Sequence, residues 1–229
     1  MRRSLSVLAI MLSALATGHL AGGHVAAQQA AADGIALSCA TADKRLRACF
    51  TFDGDARDRS SYGNHAHAGN VTYVPGKSGQ AVRFGKASRM LVAQSPSLEL
   101  HEMTVKFWVR PAAFPSGPGD EPRMGLIDGE ATFRMYIHEK GVIRCSLTGR
   151  PEALTKATVP LNEWTRVACT FDGKAMRIYF NGEMAAETVQ NGKIARSIAS
   201  MAIGHDFPSS DNLVGDIDHL ELWNAVVAP

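Results

Sequence analysis

The sequence predicts an all-β protein of the antiparallel sandwich or barrel class, and three observations carry that expectation. Short apolar stretches with a period of two recur from Cys49 onward. Turn dipeptides cut them at Asp53-Gly54, Gly63-Asn64, Pro75-Gly76, Lys140-Gly141, Asp172-Gly173, Asn181-Gly182 and Asn191-Gly192. No segment keeps an apolar period of 3.6 long enough for a helix, beyond one short turn at Ser97–Leu100. Period-two segments bounded by turn residues mark half-buried strands.

In chain order the expected strands are Ala48–Phe52, Gln80–Phe84, Arg89–Val92, Thr104–Arg110, Met124–Ile127 and Thr132–His138, followed by Val142–Leu147, Arg166–Phe171, Ala175–Phe180, Met201–Ile203 and Asp216–Trp223. Each is an apolar-rich run that ends at a turn signal. Asn181-Gly182 suits a type I′ hairpin, where both central residues need positive φ. The loop Pro111–Arg123 is rich in Pro and Gly, carries Asp120 and Glu121, and is the most elaborate insertion. Loops of this kind are where binding residues are often placed.

Ahead of these strands, Arg2 and Arg3 precede an apolar run from Leu5 to Leu15, and Val25-Ala26-Ala27 offers a small-residue cleavage pattern. This is the three-part pattern of a secretory signal peptide over residues 1–27. The run is shorter than the roughly 18–20 residues of a spanning helix, and no later segment approaches that length, so no transmembrane segment is expected. Residues 28–38 read as a lead-in and 39–229 as one domain, secreted or periplasmic. Of 24 Lys and Arg residues against 22 Asp and Glu, Arg2 and Arg3 lie in the signal, which leaves 22 against 22. A near-neutral chain of this kind does not predict a nucleic-acid or anionic-membrane partner.

Four cysteines, Cys39, Cys49, Cys145 and Cys169, lie beyond the signal. An even count in an exported chain reads as two disulfides. If Val142–Leu147 and Arg166–Phe171 are antiparallel neighbours with Cys145 opposite Cys169, then Ile143, Leu147, Val167 and Phe171 share one face. The register that joins the sulfurs therefore also buries the apolar residues. Cys39 then pairs with Cys49 by elimination.

The residues also resemble a known family. Phe50-Thr51-Phe52-Asp53-Gly54-Asp55-Ala56, with Asp58, Ser60, Ser61, Gly63, Asn64 and His65, is similar to the opening of laminin-G-like domains of the concanavalin A-like lectin/glucanase superfamily. In the same order follow Val74-Pro75-Gly76-Lys77-Ser78-Gly79-Gln80-Ala81, Trp108-Val109-Arg110-Pro111, Glu163-Trp164-Thr165-Arg166-Val167-Ala168, Ile178-Tyr179-Phe180-Asn181-Gly182 and Gly215-Asp216-Ile217-Asp218. The resemblance implies a two-sheet jelly-roll sandwich, with Trp108 and Trp164 at core aromatic positions. A fold alone does not name a ligand.

Asp53, Asp55, Asp58 and Asn64 form an oxygen-rich loop. With Asp218 near the final strand they make a candidate structural calcium site in domains of this type, since hard cations take six to eight oxygens. Asx-turn caps are the competing reading of the same loop. Asp216-Ile217-Asp218-His219-Leu220-Glu221 is similar to the acidic strand of laminarinase-type glucanases, where two carboxylates flank the scissile bond. Here Asp216 replaces the Glu nucleophile, and the stretch occupies the terminal strand rather than the catalytic one. The expectation is a non-catalytic module that binds a glycan or a cell-surface protein, with a cryptic hydrolase or lyase as the alternative. With the tryptophans largely assigned to the core, Tyr62, Tyr73 and Tyr136 are left as sugar platforms, and each reads as a half-buried sheet residue. His65, His67, His101 and His138 read as solvated or turn histidines.

Overall fold

Alternation along the strands sorts the chain into two antiparallel sheets. The computed structural model describes residues 39–116, 122–206 and 212–229. The proposed signal peptide, the lead-in, and Asp120 and Glu121 lie outside the described residues. The strands are β1 (Leu46–Phe50), β2 (Ala66–Gly69), β3 (Thr72–Pro75), β4 (Gln80–Phe84), β5 (Arg89–Val92), β6 (Met103–Pro111), β7 (Arg123–Asp128) and β8 (Phe133–His138), then β9 (Val142–Leu147), β10 (Ala153–Thr158), β11 (Thr165–Phe171), β12 (Ala175–Phe180), β13 (Glu183–Val189), β14 (Met201–Ile203) and β15 (Gly215–Trp223). Sheet A runs β13-β12-β11-β6-β15-β4-β3, with β1 also on β15, and sheet B runs β10-β9-β8-β7-β14-β5-β2. Two short 3-10 turns, Pro96–Leu98 and Glu139–Gly141, are the helical elements among the described residues.

The core lies between the sheets. Val105, Phe107, Val109, Val167, Phe171 and Ile217 of sheet A face Met90, Ile127, Met135, Ile137 and Ile143 of sheet B, all essentially inaccessible. Each such side chain contributes roughly 1.5–3 kcal/mol when removed from water, which makes the period-two pattern the main determinant of register. A satellite cluster of Leu46, Cys49 and Trp223 sits apart from this core.

Both expected disulfides form, Cys39–Cys49 and Cys145–Cys169. The premise behind the second is corrected. Strand β9 pairs with β8 and β10, and β11 pairs with β6 and β12, so the two strands are not neighbours. Cys145–Cys169 crosses the core from sheet B to sheet A, with 6.7 Å between Cα atoms. Inward residues of two facing strands alternate just as those of two paired strands do, so the pattern of Ile143, Leu147, Val167 and Phe171 could not distinguish the two arrangements.

Candidate functional site

The outer face of sheet B gathers polar side chains that are buried without belonging to the core. Along β8, Phe133, Met135 and Ile137 point inward, so Arg134, Tyr136 and His138 point outward. On β7 a β-bulge between Gly125 and Ile127 changes the phase. Gly125 pairs with Tyr136 and Asp128 with Arg134, so Arg123, Gly125 and Asp128 all fall on the outer face. Bulges commonly re-aim a side chain in this way.

Gly125 is where the backbone after β14 crosses the sheet. A Cβ there would lie 2.2 Å from the carbonyl carbon of His205 and 2.3 Å from the nitrogen of Asp206. Only glycine admits this close approach. The crossing sets Asp206 beside Tyr136, whose hydroxyl donates to Asp206 Oδ1 at 3.3 Å. Arg123 donates to Asp206 Oδ2 at 2.8 Å and lies over the Tyr136 ring. Arg134 pairs with Asp128 at 3.4 Å and with Glu130 at 3.3 Å.

Asp128 is wholly buried, and burial pushes its carboxyl up to about 7. A hydrogen bond to Asp206 pushes it in the same direction, and the Arg134 charge opposes both. The two carboxyls therefore share a proton near neutrality. Burial likewise raises the Tyr136 hydroxyl, which stays a hydrogen-bond donor. Hydrogen-bonded carboxyls are in contact, whereas glycoside hydrolysis needs them roughly 5–10 Å apart. The pair is thus built to position Arg123 and Arg134, and not to act as an acid and nucleophile.

At the β8–β9 end this face opens into a groove of about 300 Å³ lined by His138, Lys140, Val142, Arg144, Leu154 and their neighbours. Lys140 has φ 60° and Gly141 φ 83° in the hairpin turn that forms its rim. Arg144 forms one wall and pairs with Glu152 at 3.1 Å.

Of the residues proposed from sequence as calcium ligands, Asp58 and Asn64 serve the loop. Asp58 accepts from the backbone of Cys49, Ser60 and Asn64, and the Asn64 amide donates to Arg47 O. Both Asp55 carboxylate oxygens accept from Arg59 Nη2. Asp53 and Asp218 meet elsewhere, at the turn between β3 and β4. Asp53 Oδ1 accepts from Gln80 N at 2.8 Å, and Asp218 Oδ2 accepts from Lys77 N and Ser78 N. A Cβ on Gly76 or Gly79 would collide with these carboxylates. Asp218 Oδ1 is buried with no partner, and burial pushes the group up to about 6. Among the described residues no three His, Cys, Asp or Glu side chains cluster as metal ligands.

The acidic strand is fully engaged apart from that one oxygen. Arg83 and Arg110 both bind Asp216. Glu221 takes hydrogen bonds from Trp223 at 2.7 Å and from His219 at 2.9 Å, with Lys106 at 3.4 Å. Burial works to raise its carboxyl, but these partners together hold it below the usual range.

Two further expectations are corrected. Trp108 is not a core residue: Phe107 and Val109 face inward, and Trp108 lies half-buried on the outer face of sheet A beneath Lys77. Trp164, also half-buried, stacks on Arg110. His138 is buried rather than solvated, its ring set edge-on to Tyr136. The sequence reading missed Arg123, Asp128, Arg134, Arg144 and Asp206. The alternation Arg134, Tyr136, His138 along one strand was the available signal.

A two-sheet jelly roll with a polar outer face defines the lectin-like class of β-sandwiches. The chain belongs to the concanavalin A-like lectin/glucanases superfamily, whose family model matches residues 84–229. No curated protein matches it. Among solved structures, domain 4 of AbnA, a GH43 extracellular arabinanase from Geobacillus stearothermophilus in complex with arabinotriose, is similar. It has a TM-score of 0.65 and 18% identity, over 78% of this chain and 92% of that one. The binding domain of Paraclostridial Mosquitocidal Protein 1 matches at 0.67 and 15%, over 80% and 49%. The binding domain of botulinum neurotoxin DC, in complex with SialylT, matches at 0.63 and 16%, over 80% and 48%. The chain thus spans about half the length of either toxin domain. At these identities the likeness establishes the fold.

Proposed function

We propose that the chain is an extracellular carbohydrate-binding module that holds a glycan against the outer face of sheet B and catalyses nothing itself. The observation that carries this reading is the buried Asp128–Asp206 pair, which fixes Arg123, Arg134 and Tyr136 beside an open groove. Preorganised donors next to a concave surface are what small-ligand sites require. Neighbours of the same fold support it, since two were solved with arabinotriose and SialylT. A botulinum binding domain solved with rat synaptotagmin II supports a protein as the second partner class. The two disulfides favour an oxidising compartment. A glycan array probed with the mature chain, followed by Arg144→Ala, tests this. Binding that weakens in the variant at an unchanged melting temperature is expected. Turnover of a bound glycan in a reducing-sugar assay would overturn the non-catalytic reading.

A structural calcium ion belongs to the same proposal, held by Asp218 and Asp53 with backbone carbonyls and water completing its shell. The unpartnered Asp218 Oδ1 supports it, because a buried carboxylate oxygen without a donor or cation is costly. Calcium bound only to the folded state raises the melting temperature by mass action. Asp218→Asn should abolish that rise and, above pH 6, stabilise the metal-free protein. A melting temperature indifferent to chelator would remove the ion from the reading.

A further inference from the structure

We propose that the groove at the β8–β9–β10 end of sheet B takes an acidic sugar, one bearing a carboxylate or sulfate ester, with Lys140 and Arg144 as its anion contacts. The inference rests on the glycan-binding reading and names the ligand class of that site. The groove's lining carries no Phe, Tyr or Trp and no amide side chain; Lys140, Arg144 and His138 outnumber its one carboxylate, Glu139, and Val142 and Leu154 supply its apolar surface. A neutral sugar would need a flat ring to stack on and carboxylate or amide partners for its hydroxyls. Here Val142 and the half-exposed Leu154 offer apolar surface for sugar C–H groups, and Arg144, Lys140 and His138 line the same groove.

Lys140 adds a second, independent observation. It occupies the first central position of a hairpin turn at positive φ, where Asn, Asp or Gly fits with less strain. Among the described residues it makes no ion pair. Strained backbone positions of this kind concentrate at ligand sites. Behind it, the proton shared by Asp128 and Asp206 lowers the negative charge facing Arg123 and Arg134.

Titration calorimetry on the mature chain would use oligosaccharides of polygalacturonate and alginate for carboxylates and heparin for sulfate. Arabinan and β-glucan oligosaccharides serve as the neutral arm. Acidic oligosaccharides should bind, less tightly as salt is raised. Lys140→Asn should weaken them about three- to tenfold at an unchanged or higher melting temperature, and Leu154→Asp should abolish binding. The carboxylate and sulfate arms decide which anion the site prefers. Neutral glycans bound as tightly as acidic ones, with no effect of Lys140→Asn, would overturn the acidic assignment and leave the glycan reading standing. Acidic glycans bound equally by both variants would overturn the groove. Failure of every glycan to bind would remove the glycan reading itself.

Discussion

Asp128 opposes the fold above about pH 7. Its carboxyl is pushed from 3.8 to about 7 when folded, so between those values the folded state binds more protons than the unfolded chain. Stability contributed by this group is therefore full below about pH 4 and is lost as pH rises through 7. Asp128→Asn keeps an acceptor for Glu130 N and supplies an amide donor to Asp206. The variant should be more stable than wild type at pH 8, by about 2 kcal/mol after allowance for relaxation, and equal to it near pH 4. Urea melts at the two pH values check this, and a wild type more stable at pH 8 would contradict the buried pair. The residues of this site were poorly legible in the sequence. Asp206 and Asp128 are 78 positions apart, and what joins them is a bulge at Gly125 and a backbone crossing over a missing Cβ. Neither leaves a motif. Asp218, by contrast, was legible because its strand carries the family's terminal Gly-x-Ile-Asp pattern.

At the scale of elements, every strand expected from alternation is present, several with the predicted ends. Strands β2, β3, β10 and β13 were not foreseen, and they are the end strands of the two sheet paths. An edge strand buries little of either face. β2 reads Ala-His-Ala-Gly with most positions exposed, and β13 reads Glu-Met-Ala-Ala-Glu-Thr-Val with none fully buried. Polar and mixed sequence on an edge also discourages pairing with other chains. The feature that protects these strands is thus the one that hides them from a periodicity argument. The central strand β6 shows the converse, with alternation sharp enough to place Val105, Phe107 and Val109 inward, whereas β15 is buried throughout and changes phase at a bulge between Asp218 and Glu221. The same alternation would have turned Trp108 outward, had the family's core-aromatic pattern not been given precedence over the neighbouring Phe107 and Val109.

For the whole molecule, the two disulfides do different work. Cys145–Cys169 ties sheet B to sheet A through the centre of the core, and both cysteines are inaccessible. Cys39–Cys49 ties the start of the described chain to β1, beside the satellite cluster, and Cys39 is partly exposed. A thiol reductant attacks a sulfur directly, so access governs which bridge opens in the folded protein. Mild reduction under native conditions followed by alkylation should label Cys39 and Cys49 alone. Cys145 and Cys169 should become labelled only as the sandwich unfolds. Loop-closure entropy gives the inter-sheet bridge roughly 3 kcal/mol. Cys145→Ala with Cys169→Ala should therefore lower the melting temperature by about 6–12 °C for a domain of this size. Its empty core position should add to that loss, since surrounding side chains relax only in part. Removing Cys39 and Cys49 empties no position in the main core, so the loss there should stay near the entropic term. Labelling of all four cysteines at one rate under native conditions would contradict the placement of the second bridge inside the sandwich. So would an inter-sheet double mutant no less stable than the peripheral one.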